Sequence, residues 1–112
     1  MDTQQQKSWN ILLIGDSCND VYHYGECKRI SPEAPVPVFS ESHVSVKPGM
    51  SSNVRENLVS LGIKVTHVTN DAVIEKHRFI DSSYGQQVFR YDSGDIEKID
   101  ECPLTELDEY SR

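Results

Sequence analysis

Lys28-Arg29-Ile30-Ser31-Pro32-Glu33-Ala34-Pro35-Val36-Pro37-Val38 is the run on which the reading of this 112-residue chain turns. Its three prolines, Pro32, Pro35 and Pro37, each fix φ and each remove a backbone donor, so neither a helix nor an interior strand passes through it. Turn, extended or edge-strand backbone remains. Val36 and Val38 alternate with Pro35, Pro37 and Phe39, which predicts an extended segment with one donor-free side, suited to a sheet edge. By composition alone the run is a proline-rich linker. Its neighbours decide otherwise.

Upstream, Ile11-Leu12-Leu13-Ile14 is apolar without alternation and closes on Gly15-Asp16, the pattern of a central strand covered on both faces. The loop after such a strand is where open α/β sheets place ligands, which gives Asp16 and Asp20 a position. Downstream, Val54, Leu58 and Leu61 recur at helical spacing, so Ser51 to Leu61 is predicted as a helix. Asn53 with Glu56 forms a capping-box pattern and Gly62 stops it. Lys64 to Thr69 returns as a strand, completing one βαβ unit. Glu75 to Ile80 and Gln86 to Tyr91 form two further strands joined by Asp81-Ser82-Ser83-Tyr84-Gly85, a hairpin-like loop. Asp92-Ser93-Gly94-Asp95 reads as a turn.

Length and composition bound the function. One domain is expected, with residues 1–8 a flexible polar start, 9–92 the folded lobe and 93–112 an acidic tail in which Pro103 to Glu106 can open a helix. With 37% hydrophobic and 26% charged residues, the chain sits on the polar side of globular averages and predicts a small or partner-stabilised core. A formal net charge of −7 argues against nucleic acid as a partner, because phosphate-backbone binding needs a Lys/Arg footprint. Cys18, Cys27 and Cys102 fit neither a disulfide framework nor paired zinc spacing, and the four histidines lack ligand spacing, so reduced thiols and no metal are expected. No apolar run is long enough to cross a membrane and no signal-peptide core is present, so a soluble, cytoplasmic protein is expected.

Several motifs carry a resemblance to a known family. Gly15-Asp16, Asp20-Val21-Tyr22, Tyr24-Gly25 and the run Arg29 to Val38 resemble the opening of the ribokinase-like (PfkB) carbohydrate kinases, most of all the bacterial heptose phosphate kinases. Pro48-Gly49-Met50-Ser51-Ser52-Asn53-Val54-Arg55 is similar to that family's Pro-Gly-Gly-Ala-Ala-Asn-Val-Ala, altered at the second glycine and both alanines. Gln86-Gln87-Val88-Phe89-Arg90-Tyr91-Asp92 matches a later Gln-Gln-x-x-Arg-x-Asp run. The likeness covers roughly residues 9–92 and implies an α/β fold, a fragment of the ribokinase-like fold with one βαβ unit and a small β lid with edge strands.

The same resemblance supplies expectations about the site. It implies a sugar or sugar phosphate met by Asp20, Gly49, Asn53, Lys76, Arg78 and Arg90. A carboxylate accepts strong hydrogen bonds from adjacent hydroxyls, and arginine's planar fork matches phosphate. Read without the family, Asp20 is a turn residue, Asn53 an N-cap, and Arg78 and Arg90 solvated strand residues. Met50 puts a side chain where the family's glycine lets backbone approach substrate. Between Asn70-Asp71 and Lys76-His77-Arg78 a sheet layer of the full-length kinases is missing. The Gly-Ala-Gly-Asp motif that carries their catalytic base and anion hole is absent, as is a Walker-type loop, so neither a catalytic residue nor a bound cofactor is expected. The resulting expectation is a catalytically incomplete sugar-kinase-like module that forms a homodimer through lid strands and binds a sugar phosphate. The alternatives are a regulatory binder of a full-length kinase and an N-terminal fragment of an active enzyme.

Overall fold

The computed structural model describes residues 9–94, so the expectations for residues 1–8 and 95–112 lie outside the described part. Seven elements follow one another: β1 (Asn10–Ile14), β2 (Ser17–Ile30), β3 (Pro37–Met50), α1 (Ser51–Ser60), β4 (Lys64–Val68), β5 (Glu75–Asp81) and β6 (Gln86–Ser93). They divide between two compact units. Within 9–94, one comprises residues 9–18 and 48–72, the other 19–47 and 73–94.

The first unit is built on β1, α1 and β4. The two strands run parallel in the register Ile11↔Val65, Leu12↔Thr66, Leu13↔His67 and Ile14↔Val68, the pairing a βαβ unit requires. The helix ends as its glycine predicts. Gly62 adopts φ 79°, its amide donates to the Val59 carbonyl at 2.9 Å, and the Ile63 amide donates to Leu58 at 3.1 Å, a Schellman closure. Asn70, 8% exposed, ties this unit together. Its Oδ1 accepts the Ser17 amide at 2.7 Å, and its Nδ2 donates to the Ala72 carbonyl at 2.6 Å.

Three expectations for the first unit are corrected. The strand β1 is neither central nor covered on both faces: among the described residues it pairs only with β4, and Ile14 is 47% exposed. The capping box does not form, because the helix starts two residues before Asn53. Met50 is the N-cap, with no side-chain cap hydrogen bond, and Asn53 is the third helical residue. Met50 itself holds φ 54° and ψ −129°, backbone that an L side chain rarely adopts and that glycine adopts freely. Methionine thus stands, where the motif it resembles has glycine, in backbone that suits glycine.

The second unit is a four-stranded sheet in the order β3-β2-β5-β6, with β2 parallel to β5 and β5 antiparallel to β6. The proline run behaves as its chemistry dictates. Pro32 and Pro35 lie in the bends between β2 and β3, and Pro37 opens β3, an edge strand. At Gly25 β2 and β3 come close together: a Cβ would lie 2.1 Å from the Ser40 carbonyl oxygen and 2.8 Å from Phe39 Cζ. No side chain fits there. The hairpin joining β5 to β6 turns at Gly85, φ 63°, and a bulge falls between Phe79 and Ile80. Two assignments change here. Asp20 lies on β2 rather than in a loop, and β6 continues through Asp92 and Ser93, leaving only Gly94, at φ 77°, as the bend.

Candidate functional site

Alternation along a strand and register between strands decide which side chains share a face. In the second unit Asp20 pairs with Lys76, Tyr22 with Arg78, Lys76 with Asp92, and Arg78 with Arg90. These residues therefore occupy one face of the sheet. Four of the six sequence-predicted site residues, Asp20, Lys76, Arg78 and Arg90, come together here from three strands. Gly49, which is buried, and the exposed Asn53 belong to the first unit.

The geometry within this face is specific. Arg78 Nη1 donates to Asp20 Oδ1 at 2.8 Å, with both side chains about four-fifths buried. The Arg78 guanidinium also lies over the Tyr22 ring, 5.5 Å from its centroid, and Lys47 Nζ lies 5.6 Å from the same centroid. Tyr22 in turn stacks along Tyr24 at 6.3 Å, and Tyr24 on His43 at 4.7 Å. Arg90 grips Asp92 through two bonds, Nε to Oδ1 at 2.9 Å and Nη2 to Oδ2 at 3.0 Å. Hydrogen bonding to Arg90 holds the Asp92 carboxyl below the usual carboxylate range, and the charges of Arg90, Lys76 and Arg78 act the same way.

The face is thus locally cationic, with Lys47, Lys76, Arg78 and Arg90 against Asp20 and Asp92, in a chain whose formal net charge is −7. An anion is attracted to it, and ring faces beside the cations suit the apolar side of a sugar. Tyr22, Tyr24, Lys47 and Asp92 were missed as site residues. The signal for the tyrosines was present in Asp20-Val21-Tyr22-His23-Tyr24, where every second residue is polar or aromatic, but it becomes legible only once this stretch is known to be a strand.

In the first unit, the motif preceding α1 has its own organisation. Ser51, 8% exposed, donates its amide to the Asp16 carbonyl at 2.9 Å, and its hydroxyl donates to the Gly15 carbonyl at 3.0 Å. His67 Nε2 lies 2.8 Å from the same hydroxyl. Burial, reinforced by the Arg55 charge, holds the His67 imidazole below its ordinary value. One carboxylate oxygen of Asp16, Oδ1, is buried with no hydrogen-bond partner among the described residues. Among those residues no group of three or more potential metal ligands occurs, and no helix is long and apolar enough to cross a membrane.

No family model matches the chain. The bifunctional protein HldE of Proteus mirabilis is 37% identical over 83 residues, 74% of this chain and 18% of that protein. HldE of Erwinia tasmaniensis is 50% identical over 54 residues, 48% of this chain and 11% of that protein. Among solved structures, a carbohydrate kinase from Agrobacterium tumefaciens aligns with 78% of this chain and 36% of its own, at a TM-score of 0.48 and 16% identity. The chain spans less than a fifth of the length of the curated relatives it matches. Over that shared sequence the chain is a partial-length relative of the bifunctional HldE proteins.

Proposed function

We propose that this chain is a sugar-phosphate-binding module of the heptose kinase type, which associates through the sheet of its second unit and does not by itself transfer a phosphoryl group. The observation carrying the reading is the gathering of Asp20, Lys76, Arg78 and Arg90, with Tyr22 between two cations, on one sheet face. The carboxylate receives sugar hydroxyls, Tyr22 packs against the sugar ring, and the guanidinium and ammonium groups receive the phosphate. The binding step costs the Asp20–Arg78 pair part of its bond, so the ligand's phosphate must replace that carboxylate for Arg78.

Association is supported by the edges and by the opposite face. Both β3 and β6 are outer strands, and outer strands are templates for pairing. On the face away from Asp20, an apolar groove of about 410 Å³ is lined by Cys27, Val36, Phe39, Phe79, Val88 and Phe89. Among the described residues only Cys18, Val21 and Ile74 are buried apolar side chains, while Phe89 is 60% exposed and Val36 50%. A second copy seated on this face enlarges a core that is otherwise small.

Isothermal calorimetry with a heptose phosphate and with other sugar phosphates tests the binding. Arg78→Ala is expected to weaken it roughly tenfold or more, the effect of removing a hydrogen bond to a charged group. Absence of heat with every sugar phosphate refutes the binding reading. Robust ATP consumption by the purified chain with a sugar phosphate refutes the non-transferring one, and sedimentation as a monomer at all concentrations refutes association.

A further inference from the structure

The sheet face away from Asp20 carries two histidines that no ligand spacing in the sequence singles out. His23 Nε2 lies 2.7 Å from His77 Nδ1, with ring centroids 5.0 Å apart and an interplanar angle of 24°. A short nitrogen-to-nitrogen distance with that centroid separation means the rings meet edge to edge along a lone-pair direction. Each outer nitrogen faces a carboxylate. His23 Nδ1 bonds Glu41 Oε1 on β3, and His77 Nε2 lies 3.5 Å from Glu75 Oε1 on its own strand. The His23 ring lies flat on Phe79, 4.3 Å away at 7°, and the His77 ring is tilted against Tyr91 at 5.6 Å. The two imidazoles are 16% and 19% exposed.

Counting protons on this Glu41–His23–His77–Glu75 chain gives one favoured state. Each outer nitrogen donates to its carboxylate, which leaves two inner lone pairs aimed at each other. A cation must lie between them. Zinc does not fit, because two Zn–N bonds of about 2.0–2.1 Å at a tetrahedral angle hold nitrogens roughly 3.3 Å apart. A single proton does fit. The pair then carries three N–H groups and one net positive charge, offset by Glu41 and Glu75. With two N–H groups one of the three bonds is lost. With four, two N–H groups and two positive charges confront each other at 2.7 Å, and the inner bond cannot survive.

We propose that His23 and His77 form a proton-sharing latch that joins β2 to β5 and, through Glu41, to β3, held by one proton and opened by a second. Among the described residues the groups facing it are Glu41 of β3, Glu75 of β5 and Tyr91 of β6, none of them a cation that could substitute for the proton. Acidification drives the second proton on, which separates the rings and loosens the packing on Phe79. If association uses this face, as proposed above, acidification also weakens it; that consequence rests on the preceding reading, whereas the latch does not.

The test uses the full chain, at a concentration where sedimentation shows monomer. In ¹⁵N-histidine-labelled protein near pH 7, a scalar coupling across the N–H···N bond between His23 Nε2 and His77 Nδ1 is expected, vanishing on acidification. Unfolding between pH 5 and 6 is expected to take up about one more proton in the native chain than in His77→Gln, read from the pH slope of stability. Subtracting the variant removes titrations that both share. Two rings that titrate independently with no coupling overturn the latch, even if the chain dimerises. Coupling that persists until the chain unfolds in acid overturns the opening step. Where His77→Gln does not fold, the coupling measured in the native chain decides alone.

Discussion

Replacing Met50 by glycine and by alanine separates side-chain packing from backbone strain at the N-cap of α1. Both substitutions remove the methionine side chain, which is 40% exposed and contributes only part of its burial energy. They differ in what they leave at φ 54°, ψ −129°. Alanine retains a Cβ in backbone that costs an L residue about 1–3 kcal/mol, and glycine relieves it. Against that gain, glycine makes the unfolded chain more flexible by roughly 0.5–1 kcal/mol. Glycine is also the better N-cap of the two. The balance favours Met50→Gly over Met50→Ala by about 1 kcal/mol, the reverse of the usual order, and a difference of about 4–8 °C in Tm for a domain of this size. Urea unfolding of the two variants, with equal m-values as a check on two-state behaviour, measures the difference. An alanine variant as stable as the glycine variant refutes the claim that this backbone conformation is held in the folded chain.

Three further outcomes are expected. Gly25→Ala forces a methyl to within 2.1 Å of the Ser40 carbonyl oxygen, so β2 and β3 must part; a loss of about 3 kcal/mol or more is expected, with faster amide exchange in both strands as the readout. Asn70→Ala removes the acceptor of the Ser17 amide and the donor to the Ala72 carbonyl, and is expected to cost about 2–3 kcal/mol in chemical denaturation, against roughly 1 for an exposed pair. His67 is held below its ordinary value of 6.5, so the unfolded chain takes up its proton first. Its contribution is complete above about pH 6.5 and lost as pH falls toward the folded-state value, and His67→Gln is expected to flatten that part of the stability profile.

The βαβ unit was legible because each part carries its own local signal. Ile11 to Ile14 is a bare apolar run, Gly62 stops a periodic helix, and Lys64 to Val68 follows at once. The β5–β6 hairpin was legible for the same reason, with Gly85 at its turn. The strand β2 was not. Residues Ser17 to Ile30 contain Asn19, Asp20 and Gly25, all poor strand formers, and their pairing with β5 across more than fifty residues leaves no local trace. The candidate site divides along the same line. The residue types at Asp20, Lys76, Arg78 and Arg90 were visible in sequence, whereas the Asp20–Arg78 bond and the clasp of Tyr22 by two cations depend on register. The capping-box pattern misled because Ser51 and Ser52 are themselves helical, so the cap falls at Met50, three residues before Asn53.

The outermost strand β6 presents Val88, Phe89 and Tyr91, at 39%, 60% and 53% exposure, in a short segment of high β-propensity. Such segments seed cross-β stacking when they meet their own kind. Here Arg90 spends its fork on Asp92 two residues along the same strand, so a charged clasp interrupts the apolar sequence. The irregular pairing opposite Phe79 and Ile80 also bends the strand away from the flat template that fibrils need. Neutralising Arg90 therefore removes a gatekeeper, and the purified chain becomes prone to assemble end over end into filaments.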